Sequence, residues 1–415
     1  VNASYELPPV AALVTAGLSQ TEAEPVTDSI FRIRDIANLY LVKTDDGDVL
    51  INSGLMDNVA SNLAKLRPHR SGPLRKIIIT QAHPDHFGGV PELREPETEI
   101  ITERRFSETC LFFNDLAPYL KRRMLKLWGM TFDRPDDAPE VPEIVSDITV
   151  DGQFSFSQGN RQFEVISTPG GETLCSLTVW LPEERIVFVG NLFGPLLSSM
   201  PFLTTIRGEK PRLVKPYLDA LDRVRKLGAE ILISGHSEPV RGIDNVRAVL
   251  DKMYSAVSYV RNETLKGMND GKDVHTLMRE IKLPPEIRID EYHGTVAWAV
   301  RAIWEESSGW FHYDSTTSLY GVPRSSIDED LVELAGGADA LAQRAEKKLS
   351  DERPLEAMHL LDIALGATPS NSAALAVKKQ VLEQLLIQAA NINVSEVMWL
   401  RSELMLTELA QAQQE

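Results

Sequence analysis

The apolar run Ile77-Ile78-Ile79 opens directly into Thr80-Gln81-Ala82-His83-Pro84-Asp85-His86. Such a run reads as a buried strand, so its C-terminal mouth carries two imidazoles and a carboxylate. A single histidine in that position is ordinarily a hydrogen-bonded core residue. His83, Asp85 and His86 cannot all face one apolar core without an ion between them. They are also the residue types that a zinc-class metal takes. Gly88-Gly89, just beyond, lets the backbone turn tightly beside them. Three more polar residues follow strand-like runs: Glu172 after Thr168-Pro169-Gly170-Gly171, Asn191 after Val187-Phe188-Val189-Gly190, and His236 after Ile233-Ser234-Gly235. With Gln81 they complete a candidate set placed where the chain leaves a sheet, which is where binding groups collect.

A chain of 415 residues is long enough for two domains and a large core. It needs no disulfide, and its two cysteines, Cys110 and Cys175, lie in apolar surroundings. They are expected as buried thiols rather than as a bridge or a nucleophile. The net charge of −17 argues against nucleic acid and anionic membrane surfaces as partners. No apolar run approaches the length of a membrane span. The sequence starts at Val1 rather than Met, so the compartment is not readable from it. A soluble chain is expected, with the cytoplasm ahead of the periplasm.

Residues 29–54 read as a β-meander, with Asp45-Asp46-Gly47-Asp48 as a hairpin turn. A helix is expected from about Asn58 to Leu66. Arg104 to Leu127 has helical periodicity, with Phe112, Phe113, Leu116, Tyr119, Leu120, Met124 and Trp128 on one apolar face. That face suits either packing on the sheets or a lid with an apolar wall. Arg134 to Glu143, rich in Pro and Asp, reads as a loop. A second β-rich part runs from about Ile148 to Gly190, with Leu213 to Leu227 as an amphipathic helix and Ala229 to Ile233 as a buried strand. Two β-halves with helices outside call for a four-layer αββα sandwich. Beyond Gly242 no strand is expected. Val246 to Met268, Thr295 to Glu306 and Leu331 to Leu349 read as helices. Leu355 to Leu365 and the stretch from Ser372 read as a helix pair like a single tetratricopeptide-type unit. Trp298 and Trp310 are expected in the core. The division is 1–245 for the metal-site domain and 246–415 for the helical one.

The stretch Thr80–His86 resembles the Thr-His-x-His-x-Asp-His signature of the metallo-β-lactamase fold, with Gln81 in place of the first His. Glu172 after the Pro-Gly turn, Tyr292-His293-Gly294-Thr295, Gly309-Trp310-Phe311 and Leu319-Tyr320 narrow the resemblance to the alkylsulfatase (type III sulfatase) group. Residues 342–386 resemble that group's dimerisation domain. Longer members carry a further sterol-carrier-like domain, which the sequence does not reach by Glu415. The fold class so implied is α/β: a metallo-β-lactamase αββα sandwich followed by an all-α dimerisation domain. Carried over by position, one metal takes Gln81, His83 and Glu172. The second takes Asp85, His86 and His236, and Asn191 stands at the bridging carboxylate. Asn52 stands where the family usually has Asp. Arg207 aligns with a sulfate-binding Arg, and a guanidinium suits a tetrahedral oxyanion. Tyr292 and His293 are expected to reach the pocket.

An amide oxygen is a weak, neutral ligand, so Gln81 and Asn191 weaken the first site. The second keeps three ligands, the number a catalytic zinc uses while leaving a position for water. The expected protein is therefore a metal-dependent hydrolase, with one zinc per chain and two ions or iron as alternatives. Water activated by the ion attacks, with Asp85, His83 and Glu172 as the catalytic set and Glu172 or His83 as base. The substrate is an apolar or amphiphilic small molecule with a sulfate ester or another ester or ether bond. The alternative is a non-catalytic subunit that pairs with an intact paralogue, in a hetero-oligomer rather than a homodimer.

Overall fold

The computed structural model describes residues 6–128 and 141–414. Two compact units emerge: residues 9–123 with 141–306, and residues 6–8, 124–128 and 307–414.

The first unit is built on two sheets. One has seven strands in chain order: β1 (Glu24–Thr27), β2 (Ile30–Ile33), β3 (Leu39–Thr44), β4 (Gly47–Ile51), β5 (Leu74–Ile78), β6 (Glu99–Glu103) and β7 (Ile148–Val150). The meander β1–β4 is antiparallel, and β4 to β7 run parallel. The other has six strands: β8 (Gln153–Gln158), β9 (Arg161–Ser167), β10 (Leu177–Leu181), β11 (Ile186–Phe188), β12 (Ile231–Ile233) and β13 (Val240–Arg241), ordered β13-β12-β11-β10-β9-β8. Strand β5 has helices on one side and the second sheet on the other, so the run at its end, Ile77-Ile78-Ile79, is apolar on both faces. Ile78 faces the inter-sheet core with Val165, Val179 and Phe188, while Ile77 and Ile79 face the outer layer with Leu66, Phe87 and Phe106. On the second sheet Leu177, Val179 and Leu181 point inward, and Trp180 points outward. Helices Val214–Leu227, Ile243–Asn269 and Val296–Ser308 cover that outer face through Leu221, Val257 and Val300. This is the αββα sandwich.

The compact sandwich unit runs on through Glu306, whereas the sequence division falls after residue 245. The helix Ile243–Asn269 belongs with it because Val246, Leu250, Met253 and Val257 share a core with Leu218 and Leu221. The second unit is helical, with Asp328–Ala335, Ala338–Ser350, Pro354–Ala367, Ser372–Gln388 and Val394–Ala412. Ala342, Ala345, Ala357, Leu361, Ala364 and Val381 fill its core. Among the described residues, no helix is long and apolar enough to cross a membrane.

Three local expectations are corrected. The helix expected over 104–127 is two helices, Phe106–Asp115 and Ala117–Trp128, interrupted at Leu116. That expected over 331–349 is split at Gly336-Gly337, both at positive φ. Trp310 is 72% exposed rather than core, whereas Trp298 stacks on Phe202. Residues 134–140 of the expected loop lie outside the described residues.

Both sheets end at a common mouth, where Leu177 N–H donates to Thr80 O at 2.8 Å and Asn38 N–H to Gly235 O at 2.6 Å. Asp35 organises one wall of it. Its buried carboxylate accepts from Ile36 N–H (2.7 Å), Leu55 N–H (2.9 Å), Asn58 Nδ2 (2.5 Å) and Asn62 Nδ2 (2.6 Å). Asp35→Ala orphans these donors, and buried unsatisfied groups are costly. The expected loss is about 3 kcal/mol, read from the urea midpoint. A loss under about 1 kcal/mol would show that water replaces the carboxylate.

Candidate metal centre

The chain leaves β5 at Ile79, and Thr80 is the first group it places. Asn52, held at φ 60°, turns its carbonyl oxygen to Thr80. It accepts from Thr80 N–H at 3.0 Å and from Thr80 Oγ1 at 2.9 Å. With its proton given to Asn52, Thr80 Oγ1 accepts from His86 Nδ1–H at 3.0 Å. This fixes the tautomer of His86 and leaves the lone pair on Nε2. That nitrogen is buried and has no hydrogen-bond partner. The short helix Pro84–Phe87 carries both Asp85 and His86. His236, after β12, donates from Nδ1 to the Ile36 carbonyl, so its Nε2 also presents a lone pair.

One ligand atom from each of Asp85, His86 and His236 lies within 4.8 Å of the others. Burial outweighs the attraction of Asp85 and lowers the His86 pKa to about 4, which keeps the ring neutral. Two imidazole nitrogens and a carboxylate form the donor set of a zinc-class ion with an open position. The residues therefore fit the ion that the motif implies. The orphaned His86 Nε2 is the atom that such an ion satisfies.

The neighbouring half is organised differently. Gln81 turns its amide nitrogen inward, 2.6 Å from His83 Nδ1 and 3.3 Å from Glu172 Oε2. Asn191 does the same, donating to Glu172 Oε2 at 3.0 Å and to His236 Nε2 at 2.9 Å. Both amide oxygens, Gln81 Oε1 and Asn191 Oδ1, are buried without a hydrogen bond. His83 lies between two carboxylates, with Nδ1 3.5 Å from Glu172 and Nε2 3.5 Å from Glu209. Burial opposes its charged form, but Glu209 and Glu172 prevail and raise its pKa to about 9. A proton on Nδ1 would face the Gln81 amide nitrogen, so charging the ring entails turning that amide over. Burial likewise disfavours the charged form of Glu172, and Arg212 and His83 overcome it, holding its pKa well below the usual range.

Arg207 points to Glu209 rather than to a vacant anion position, with Nε at 2.7 Å and Nη2 at 2.6 Å from Oε1. His293 is buried, packs edge-on against Phe202 and lies within electrostatic reach of Glu172 and Arg212. Burial lowers its pKa to about 3. Tyr292 is held by its backbone, N–H donating to Ser199 Oγ at 3.1 Å. Glu209 and Arg212 went unread in the sequence. Their one signal is the density of charge in Arg207-Gly208-Glu209-Lys210-Pro211-Arg212, on a segment between two apolar stretches. Beside the centre opens a narrow cleft lined by Phe112, Phe113, Glu172, Leu174, Glu209 and Arg212. The Phe113 ring stands 5.6 Å from that of His83.

Residues 32–236 match the model of the metallo-beta-lactamase superfamily, and residues 274–406 match that of alkyl sulfatase dimerisation. The chain is an alkylsulfatase-like member of the metallo-β-lactamase superfamily. Among relatives of this alkylsulfatase-like chain, a linear primary-alkylsulfatase of Pseudomonas sp. is 24% identical over 332 residues, covering 74% of this chain and 62% of that protein. An alkyl/aryl-sulfatase of Saccharomyces cerevisiae is 25% identical over 409 residues, covering 88% and 60%. The chain thus spans about three fifths of the length of these curated relatives. The fold is shared with a stereoselective inverting sec-alkylsulfatase from Pseudomonas sp., with a TM-score of 0.82 and 21% identity over 97% of this chain and 70% of that one. A double mutant of a sec-alkyl sulfatase gives a TM-score of 0.85 at 22% identity, over 97% and 68%.

Proposed function

We propose that this protein is a metal-dependent hydrolase with one ion per chain, acting on an ester or ether bond of a mostly apolar small molecule. Sulfate esters are the class suggested by its relatives, which are named alkylsulfatases. The observation that carries the reading is the cluster of Asp85, His86 and His236, with its unsatisfied His86 Nε2. A zinc-class ion bound there supplies Lewis acidity that brings the pKa of water toward neutrality. The chain's own residues do the rest. Glu172 and His83, in contact at 3.5 Å, hold and pass the proton. Phe112 and Phe113 offer the apolar wall of the cleft. Arg207, Tyr292 and His293 border the polar end of the substrate. The dimerisation segment 274–406 supports an oligomer.

A second reading rests on a specific feature. Gln81 and Asn191 present amide nitrogens to Glu172, as in a site that has lost its first metal and been repurposed. A non-catalytic subunit paired with an intact paralogue would look like this. Turnover separates the two. The purified chain, loaded with one equivalent of zinc, is expected to hydrolyse members of a panel of alkyl sulfates, carboxylic esters and lactones faster than the chelated protein. No turnover alone, with turnover restored in a stoichiometric complex with an intact relative, would favour the subunit.

A further inference from the structure

We infer that Glu209 is an internal occupant of the site's anion position, so that the bond this chain cleaves belongs to an uncharged group rather than to a sulfate monoester. The inference rests on the hydrolase reading and narrows its substrate class to carboxylic esters, lactones and ethers.

The donors around Glu209 are those of an oxyanion site. Arg207 places Nε and Nη2 at 2.7 and 2.6 Å from Oε1, Arg212 places Nη2 at 3.0 Å from Oε2, and His83 Nε2 lies 3.5 Å from Oε1. Two guanidinium groups and an imidazole converging on one pair of oxygens is how proteins hold a carboxylate, phosphate or sulfate. Here the oxygens belong to the chain. The Glu209 side chain is 8% exposed and lines the cleft next to Glu172. Arg212 is spent in the same way. Its other nitrogens donate to the carbonyls of Glu172 (3.0 Å) and Phe202 (2.9 Å), and Nη1 stands 3.6 Å from Glu172 Oε1.

Charge is therefore matched before any substrate arrives, Arg207 and Arg212 against Glu209 and Glu172. A sulfate monoester entering beside Phe113 would put its negative charge next to a buried carboxylate. In a partly dry site that repulsion is only weakly screened. It would have to displace Glu209 from both guanidinium groups, leaving that carboxylate with His83, which it already shares with Glu172, and with Lys210. That residue is already paired with Glu108 at 2.9 Å. A neutral ester meets no such repulsion. It can still receive donor contacts from the outer edges of the two guanidinium groups.

The test is titration calorimetry of inorganic sulfate at constant ionic strength into the zinc-loaded full chain, its Glu209→Ala variant and its Glu209→Gln variant. Alanine empties the position, and glutamine removes the charge while keeping the shape. The wild type is expected to bind sulfate no better than at tens of millimolar. Glu209→Ala should bind at least tenfold tighter, and Glu209→Gln should fall between. Adding Arg207→Ala to Glu209→Ala should abolish the gain. Submillimolar sulfate binding by the wild type overturns the inference, even if both variants fail to fold. So does a well-folded Glu209→Ala chain with unchanged affinity. Metal content and ester turnover on the same samples separate this idea from the one beneath it. A sulfate gain without metal or turnover removes the hydrolase and keeps the internal anion. Turnover of alkyl sulfates in preference to carboxylic esters by the wild type removes the internal anion and keeps the hydrolase.

Discussion

Asp85→Ala should strip the protein of its metal, and His83→Ala should not. A side chain that only orients a ligand costs about ten- to a hundredfold in metal affinity when removed, so losing a ligand should cost on the order of a hundredfold or more. His83→Ala should change affinity less than about tenfold. The contrast follows from the geometry. Asp85 shares a 4.8 Å cluster with His86 and His236, whereas His83 is engaged by Gln81, Glu172 and Glu209. Metal per chain by mass spectrometry, with affinity from competition against a chromogenic chelator, reads both variants. Equal loss in the two, or two ions per wild-type chain, would mean that Gln81 and Asn191 turn their oxygens inward and ligate. The mononuclear reading would then be abandoned. Such a rearrangement has a visible cost. Asn191 would surrender its bond to Glu172 in addition to the one to His236 Nε2, which an ion on His236 displaces in either arrangement.

How much of this was legible in the sequence depends on the range of the interaction that decides each feature. Strand β5 was legible because burial on both faces writes three isoleucines in a row, and everything after it inherits its position. The residues Gln81, His83, Asp85, His86, Glu172, Asn191 and His236 were legible as a set, because each follows an apolar run out of a sheet. Which of them share an ion came only from the family resemblance, which puts Asp85, His86 and His236 together, and how each ring is turned was not legible, since that rests on hydrogen bonds between distant segments. Asn52 reaches Thr80 and so sets the His86 ring, while the Ile36 carbonyl sets His236. The break at Leu116 was hidden because the apolar pattern runs on through Pro118, a residue that suits the first turn of the next helix. Gly336-Gly337 does carry a local signal, since two glycines at positive φ end a helix. Trp310 was misplaced because size and apolarity do not say which large side chains stay outside. Glu209 was missed for a chemical reason. In sequence it is one acid among several in a charged loop, and only packing makes it the partner of two arginines.

Arg212→Met should destabilise the chain by about 3–5 kcal/mol, the range for removing one partner of a buried ion pair. The Arg212 side chain is 5% exposed and stands between Glu209 and Glu172, themselves 8% and 7% exposed. Methionine keeps much of the packing and deletes the charge, so two buried carboxylates lose the cation they share, and the carbonyls of Glu172 and Phe202 lose their donor. Arg207 remains on Glu209 but not on Glu172 in direct contact, which leaves His83 as the nearest cationic group for Glu172. Urea midpoints of the chelated protein give the loss without a contribution from bound metal. Glu209→Gln in the Arg212→Met background should recover on the order of 1 kcal/mol or more, since contacting charges couple non-additively. The same substitution in the wild type should cost stability, because it leaves Arg207 and Arg212 short of a counter-charge. If Glu209→Gln instead acts identically in both backgrounds, the two residues are energetically independent and the loop is held by its backbone alone. A sign reversal between backgrounds would make the arginine–glutamate cluster a single electrostatic unit, in which the acid is tolerated inside the site only because both guanidinium groups are there to hold it.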